Sequence, residues 1–344
     1  MDNKKKLLFV LHTYPQKSQT YILEEVNAVY DLNLYEILIL VGEPPNGHSL
    51  EHKPYILLKG VEDMIKRATE FGPDIIHTHY IHMIPIVEAI SKTCNAPYTI
   101  RTHSYDVLGA PYVPLNILCK MAESERCLRI LAFPLCSPKL IEHGVPSEKI
   151  VECYPIINYE RFAVDPNTEH KETNTILNVG AAIQKKKYED YVDLAKIMSE
   201  NEEGKYKFNL YALGYFVNDI KKYNEDNGGY VNFFSAEPTD MGEVYKNSDW
   251  LVYTADVNIG TVGWPLAIAE AQASGIGVLL QNIPGREESL REFLGGAGFL
   301  FNDISEIPEI ITSGYPDSMR RKGIEHAKKS DIHSHLHLLI DVWP

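Results

Sequence analysis

The chain has 344 residues, 44% hydrophobic and 23% charged, with 33 basic against 47 acidic side chains and a formal net charge of −14. That length exceeds one ordinary core and favours two domains. The composition excludes a disordered chain, and the acidic excess excludes bulk nucleic-acid binding.

In chain order, "MDNKKKLLFVLHTYP" has a basic head and an apolar run of only Leu7 to Leu11, shorter than a signal peptide's core. No later stretch approaches the ~20 apolar residues that span a membrane. Strands are predicted at 6–12, 35–42, 74–79, 98–103 and 129–133, alternating with amphipathic segments. Cys94, Cys119, Cys127, Cys136 and Cys153 lie in this half and form no CxxC, as expected of reduced thiols in a cytosolic protein.

The polar stretch "ERFAVDPNTEHKETN" (160–174) then reads as an interdomain linker. After it, strands are predicted at 175–180, 207–214, 231–234, 250–255 and 277–282. The expected architecture is α/β: two Rossmann-like domains facing a central cleft, with ligands at the carboxyl ends of the strands. The expected domains are 1–162 and 163–325, with a C-terminal helix, 326–344, packing back on the first.

The segment "VGWPLAIAEAQASG" (262–275) places one acid, Glu270, among small and apolar neighbours. A loop with Asn258, Gly260 and Gly263 leads into it. Pro265 suits a first helical position, and Gly275 suits a helix end. Such a helix points its N-terminal N–H groups at a ligand, as at anion sites. Glu270, in the second turn, lies too far in to cap it. A carboxylate there either accepts hydrogen bonds from vicinal hydroxyls, as acidic residues do with ribose, or is an exposed helix-face residue.

Six pieces in order resemble the GT-B retaining glycosyltransferases of the family 4 type. "GWPLAIAEAQASG" is similar to their donor-binding motif, ending "EAMASG". "YPQKSQTYILEE" (14–25), "PDIIHTHY" (73–80), "RTHSYD" (101–106), "VGAAIQKKKYEDYVDL" (179–194) and "NIPGREES" (282–289) resemble the family's other motifs.

The resemblance implies a two-domain GT-B fold and transfer of a sugar from a nucleotide-sugar donor to a glycan, lipid-linked or protein acceptor with retention. It implies no cofactor and no metal, and no two aspartates here are separated by one residue. Glu270 would hold the ribose, and Gly263, Trp264, Pro265 and Leu266 would meet the diphosphate or donor sugar. Lys186, beside Gly180, would neutralise the diphosphate. His103 would orient the sugar or relay a proton, making His103, Glu270 and Lys186 the expected catalytic set. Ser18, Gln19 and Thr20 would close over the phosphates, with His79, Tyr80 and Asp106 in the cleft.

Two departures stand out. The family's carboxylate eight positions before Glu270 is Val262 here, and its arginine after "VG" is Ala181, while the next motif glycine is Lys187. A hydrogen bond to a charged group is worth roughly 1.5–3 kcal/mol, so unreplaced contacts would lower binding or rate by orders of magnitude. Lys185 and Lys187 are the candidate replacement cations, and Asp256 or Asn258 the candidate sugar contacts.

His77, His79 and His82 have metal-ligand spacing, but a strand end lining a polar cleft explains them without a metal. "HSHLH" (333–337) reads as solvent-facing histidines of the returning helix. Trp264 either stacks on a sugar or packs. Asp106 either orients its loop or caps a helix. No Walker loop, GxGxxG or GxSxG motif occurs. Two alternatives to the transferase remain: a catalytically weak homologue acting as a nucleotide- or glycan-binding partner subunit, and a GT-B epimerase or phosphorylase. The expected location is cytoplasmic. Contact with the inner face of a membrane is left open by the basic stretches "MDNKKK" and "MIKRATE" (64–70).

Overall fold

A computed structural model of the chain describes residues 4–45, 51–109, 113–234, 240–259 and 263–344. Two units emerge, Met1–Ile156 with Ile332–Pro344, and Ile157–Asp331.

Unit 1 is built on a seven-stranded parallel sheet of order β3-β2-β1-β4-β5-β6-β7. Its strands are β1 Lys5–Thr13, β2 Tyr35–Glu43, β3 Ile56–Leu57, β4 Ile75–His79, β5 Tyr98–Arg101, β6 Cys127–Ala132 and β7 Ile150–Glu152. β1 is covered on both faces: Leu7 to Leu11 are all fully buried, which is why it reads as an unbroken apolar run. Leu7, Phe9 and Leu11 lie opposite Ile37, Ile39 and Val41 of β2.

The returning C-terminal segment is part of this core. Ile332, Leu336, Leu339 and Trp343 pack with Phe9, Val26 and Tyr35. His335 is buried at 5% exposure, so the expectation of solvent-facing histidines holds for His333 and His337 only. The segment runs as short helical turns, Ile332–His335 and His337–Ile340, which turn His335 inward with Leu336.

Unit 2 carries a six-stranded parallel sheet of order β10-β9-β8-β11-β12-β13. Its strands are β8 Thr175–Ala181, β9 Lys207–Leu213, β10 Val231–Phe234, β11 Trp250–Tyr253, β12 Gly277–Gln281 and β13 Phe299–Phe301. The strands missed by pattern, β3, β7 and β13, are sheet edges of two or three residues, too short to show a period.

The polar stretch 160–174 is not a free linker. Phe162 packs edge-on against Tyr245, Ser274 Oγ donates to Phe162 O at 3.1 Å, and His170 Nε2 pairs with Asp249 at 2.7 Å. These ties place the whole stretch in unit 2, so the chain passes between units at Ile156–Ile157 and returns at Asp331–Ile332. Its polarity reflects exposure of one side rather than freedom from the domain.

Candidate active site

In unit 2 the strand order reverses between β8 and β11. In open parallel sheets, ligands bind beyond the carboxyl ends of the strands at such a switch point. β8 ends at Gly180 and Ala181 and leads into a single 3₁₀ turn, Gln184–Lys186. The loop after β11 is stitched to that turn: Thr254 Oγ1 donates to Lys186 O at 2.7 Å, and Asp256 N donates to Lys185 O at 2.9 Å.

The Lys186 ammonium is hydrogen-bonded to the Tyr253 hydroxyl and lies 3.9 Å from that ring's centroid. Burial, together with the like charge of Lys185, holds the Lys186 ammonium well below the usual lysine range. Gly180 has φ +153°, and a Cβ there would sit 3.1 Å from Tyr188 Oη and 3.6 Å from Lys186 Nζ. Glycine therefore meets both a backbone requirement and a space requirement beside the cation.

The helix bearing Glu270 spans Leu266–Ala273. Pro265 is its N-cap rather than its first helical residue, because its ψ of 130° is still extended. Gly275, with φ +69°, follows the helix end. Glu270 is half-buried, and Tyr245 Oη donates to its Oε2 at 2.8 Å, fixing the plane of the carboxylate. Burial, then Glu270, then Tyr188 push the Tyr245 hydroxyl well above the usual tyrosine range. Tyr188 thus stands near both groups, its Oη beside Gly180 and close enough to Tyr245 to act on it electrostatically.

The other expected donor contacts divide. Gly263 is buried, Leu266 opens the helix, and Lys185 is half-buried beside Lys186, its charge disfavoured by burial. Lys187 is exposed and pairs with Asp190 at 2.9 Å. It occupies the family's glycine position with φ +46°, the left-handed conformation that explains a glycine there. Asn258 bonds Asp256 through both its N–H and its amide, so the two close a local turn. Trp264 is 3% exposed, stacked on Phe293 with centroids 4.9 Å apart, and its Nε1 donates to Ser289 at 3.1 Å. Of its two readings, packing is the one realised. Val262 and Gly260 lie outside the described residues.

In unit 1 the order reverses between β1 and β4. Here the histidines meet a residue that pattern reading missed. Glu25, fully buried on the helix Thr20–Asp31, accepts from His77 Nε2 at 2.7 Å on Oε1 and from Arg101 Nε at 2.6 Å on Oε2, and its Oε1 lies 3.0 Å from His79 Nε2 without hydrogen-bond geometry. Against burial's upward push, Arg101 and then His79 and His77 hold the Glu25 carboxyl well below its usual range. Thr99 bridges His77 Nδ1, at 2.7 Å, to Trp343 Nε1, at 3.0 Å, tying the C-terminal segment to this network.

His77 and His79 are therefore fully buried and do not line an open strand end. The three donor atoms of Glu25, His77 and His79 lie within 4.8 Å of one another, a grouping of a kind that can hold a metal ion. The buried Arg101 guanidinium already occupies Glu25 Oε2, and the contacts of Oε1 are hydrogen-bond lengths.

His79 Nδ1 faces His103 Nε2 at 3.1 Å. Burial outweighs the pull of Glu25 and lowers His79 to about 4, and it lowers His103 well below the usual histidine range. Both rings are neutral at neutral pH. The Glu25 carboxylate 3.0 Å away favours the His79 tautomer with N–H at Nε2, in which His79 Nδ1 accepts and His103 Nε2 donates.

His103 caps the short helix Ser104–Leu108 in a capping box: its side chain accepts from Asp106 N, and Asp106 Oδ1 accepts from His103 N at 2.7 Å. Asp106 Oδ2 also accepts from Ile81 N at 2.6 Å, so the two expected roles of Asp106, cap and loop anchor, coexist. Tyr80, expected in the cleft, is 7% exposed, has φ +73° and hydrogen-bonds the Tyr21 hydroxyl. It packs against His103, with centroids 4.6 Å apart. Ser18 is exposed, Gln19 accepts from Thr13 Oγ1 at 3.0 Å, and Thr20 opens its helix.

Residues 160–330, nearly all of unit 2, match the family described as Glycosyl transferases group 1. Among solved structures, Anabaena Alr3699/HepE in complex with UDP and glucose is similar at a TM-score of 0.74 and 15% identity, covering 98% of this chain and 100% of that one. Sucrose-phosphate synthase from Thermosynechococcus elongatus gives 0.71 and 15%, covering 98% of each chain. WaaG, a glycosyltransferase involved in lipopolysaccharide biosynthesis, gives 0.63 and 13%, covering 98% and 96%. No curated protein matches the chain in sequence. At these identities the likeness to solved structures is one of fold, and the fold is that of the GT-B glycosyltransferases. Among the described residues no helix is long and apolar enough to cross a membrane.

Proposed function

We propose that this protein transfers a sugar from a nucleotide-sugar donor to a hydroxyl of a glycan or lipid-linked acceptor, with retention of anomeric configuration and without a divalent metal. The observation that carries this reading is the arrangement at the switch point of unit 2. A cation, Lys186, sits beside the bare Cα of Gly180, and a hydroxyl-accepting carboxylate, Glu270, is fixed by Tyr245. Such a pair suits a nucleoside diphosphate, which needs positive charge at the phosphates and an acceptor at the ribose. The similar HepE structures hold UDP and UDP-glucose, which supports a nucleotide-sugar donor.

In this reading the bond from the anomeric carbon to the diphosphate oxygen breaks while the acceptor oxygen bonds to the same face, and the acceptor's proton leaves with the diphosphate. Lys186 stabilises the charge that develops on the leaving group, the role for which preorganised cations are most effective. His103 acts as a neutral ring held by His79 and its own helix cap, so it shapes the sugar site rather than exchanging protons.

The second reading, a binding partner without turnover, is favoured by one observation. Ala181 stands where the family has an arginine, and exposed Lys187 turns to Asp190, so the half-buried cations of this loop are Lys185 and Lys186. The test is the melting temperature with a panel of nucleoside diphosphates and nucleotide sugars, for wild type and Glu270→Ala, followed by turnover of whichever donor binds. Stabilisation that is lost in Glu270→Ala, with release of nucleoside diphosphate, supports transfer. Binding without release supports the partner reading, and no stabilisation by any nucleotide refutes transfer and leaves the glycan-binding form of the partner reading.

A further inference from the structure

A cavity of about 580 Å³ lies in unit 2 at the amino ends of β8 and β11, the opposite end of the sheet from Lys186 and Glu270. Its wall includes Ile176 and Trp250 from those strands, the segment 166–170, and Arg320 from the helix Asp317–Ala327. The volume lies in the range of small-molecule sites, ~300–1,000 Å³.

Arg320 is the unexplained group. It is 6% exposed, its Nε has no hydrogen-bond partner, and its Nη1 reaches only Pro166 O at 3.5 Å. Among the described residues no carboxylate pairs with it. A guanidinium stays protonated, and a buried charge without a counter-ion is costly.

The neighbouring acids are engaged elsewhere. Asp249 accepts from His170 Nε2 at 2.7 Å and from the backbone of Thr173 and Thr175, and Asp317 pairs with Arg321 at 3.4 Å. Gly275 also lines the cavity, and a Cβ there would come 3.0 Å from Arg320 Nε, so this side of the guanidinium meets a bare Cα.

We propose that this cavity binds a sugar-sized molecule carrying an oxyanion, a phosphate or a carboxylate, with Arg320 as its anchor. The planar guanidinium fork matches either group. Tyr206 and Tyr315 on the wall supply apolar surface for the rest of the molecule, and Lys205 adds a rim cation. The exposed Glu169 and Glu172 on the same wall oppose an anion, so their removal tightens binding. This site is independent of the donor loops and of the transfer reaction.

The test is thermal melting of the full chain with glucose 6-phosphate and, separately, glucuronate, against potassium chloride of matched ionic strength. A saturable rise with either molecule is expected, and which of them acts tells phosphate from carboxylate. Arg320→Met should weaken the effective ligand about tenfold, the loss expected for one charge-assisted pair. Glu270→Ala should leave its binding unchanged. No saturable rise with either molecule overturns the proposal, as does equal binding by a folded Arg320→Met, or a rise lost in Glu270→Ala. If Arg320→Met does not fold, two exposed substitutions decide: Glu172→Gln tightening and Lys205→Gln weakening support the site, and unchanged affinity in both overturns it.

Discussion

His103 Nε2 lies 3.1 Å from His79 Nδ1, the two rings inclined by only 11°, so the more exposed histidine leans on the buried one. Glu25 sits behind His79, its Oε1 3.0 Å from His79 Nε2, and so favours the proton on that nitrogen and, through it, the Nε2–H tautomer of His103. The expected ¹⁵N NMR signature is a neutral His103 with its proton on Nε2 at pH 7. His79→Phe removes the acceptor and should mix the tautomers, while turnover falls by up to about 10²-fold through misplacement of the ring. An unchanged tautomer in that variant refutes the linkage.

Glu25→Gln should destabilise the protein by about 3–5 kcal/mol, because it leaves the buried Arg101 charge uncompensated. Urea denaturation at pH 7 measures this directly. A loss below about 1 kcal/mol would show that Arg101 finds another partner.

Acid should unfold the protein early. The folded-state pKa of His79, about 4, lies below its ordinary value of 6.5, so between those pH values the unfolded chain binds the extra proton. Stability is then fully present above pH 6.5 and is lost as the pH falls toward 4, by on the order of 3 kcal/mol for this group. Half-buried His82, also lowered to about 4 by burial and then His12, adds in the same direction. Asp106, which burial raises to about 7, opposes them, because it favours the fold at the acid end of the same window. Two histidines against one carboxyl leave stability rising with pH. Denaturation midpoints from pH 4 to 7 test the slope, which should flatten in His79→Phe.

Lys187→Gly should stabilise unit 2 by about 0.5–1 kcal/mol. A non-glycine residue at φ +46° is strained by about 1–2 kcal/mol, and the exposed pair with Asp190 that is lost contributes little. A lower melting temperature in this variant would show that the ion pair outweighs the strain.

Nucleotide binding, where it occurs, should draw a proton into the site. Lys186 is held below its usual range by burial and Lys185, and an arriving diphosphate reverses that shift. Calorimetric titration of UDP at alkaline pH in buffers of different ionisation enthalpy should show net proton uptake, with affinity falling as pH rises. Lys186→Met should abolish the uptake. Tyr245→Phe should keep the uptake and weaken binding severalfold through a less well oriented Glu270.

The sequence by itself determined the two α/β sheets, because strands covered on both faces must be continuous apolar runs and the intervening helices must be amphipathic. It also showed the ordered motifs that resemble the GT-B transferases, and the place of Glu270 on its helix, since glycine and proline mark helix ends by backbone geometry alone. What it left undecided was every partnership across the sheets. Glu25 is a lone acid on the buried face of a helix, between Ile22, Val26 and Val29, and that anomaly was as legible as Glu270. Its partners Arg101, His77 and His79 come from β5 and β4, more than fifty residues away, and no local pattern links them. Lys187 and Trp264 carried the right chemistry for a donor, but Lys187 pairs locally with Asp190, three residues on, and tertiary packing gave Trp264 to Phe293. Side-chain partnership depends on which loops a sheet's strand order brings together, and that order is fixed by the packing of the whole unit.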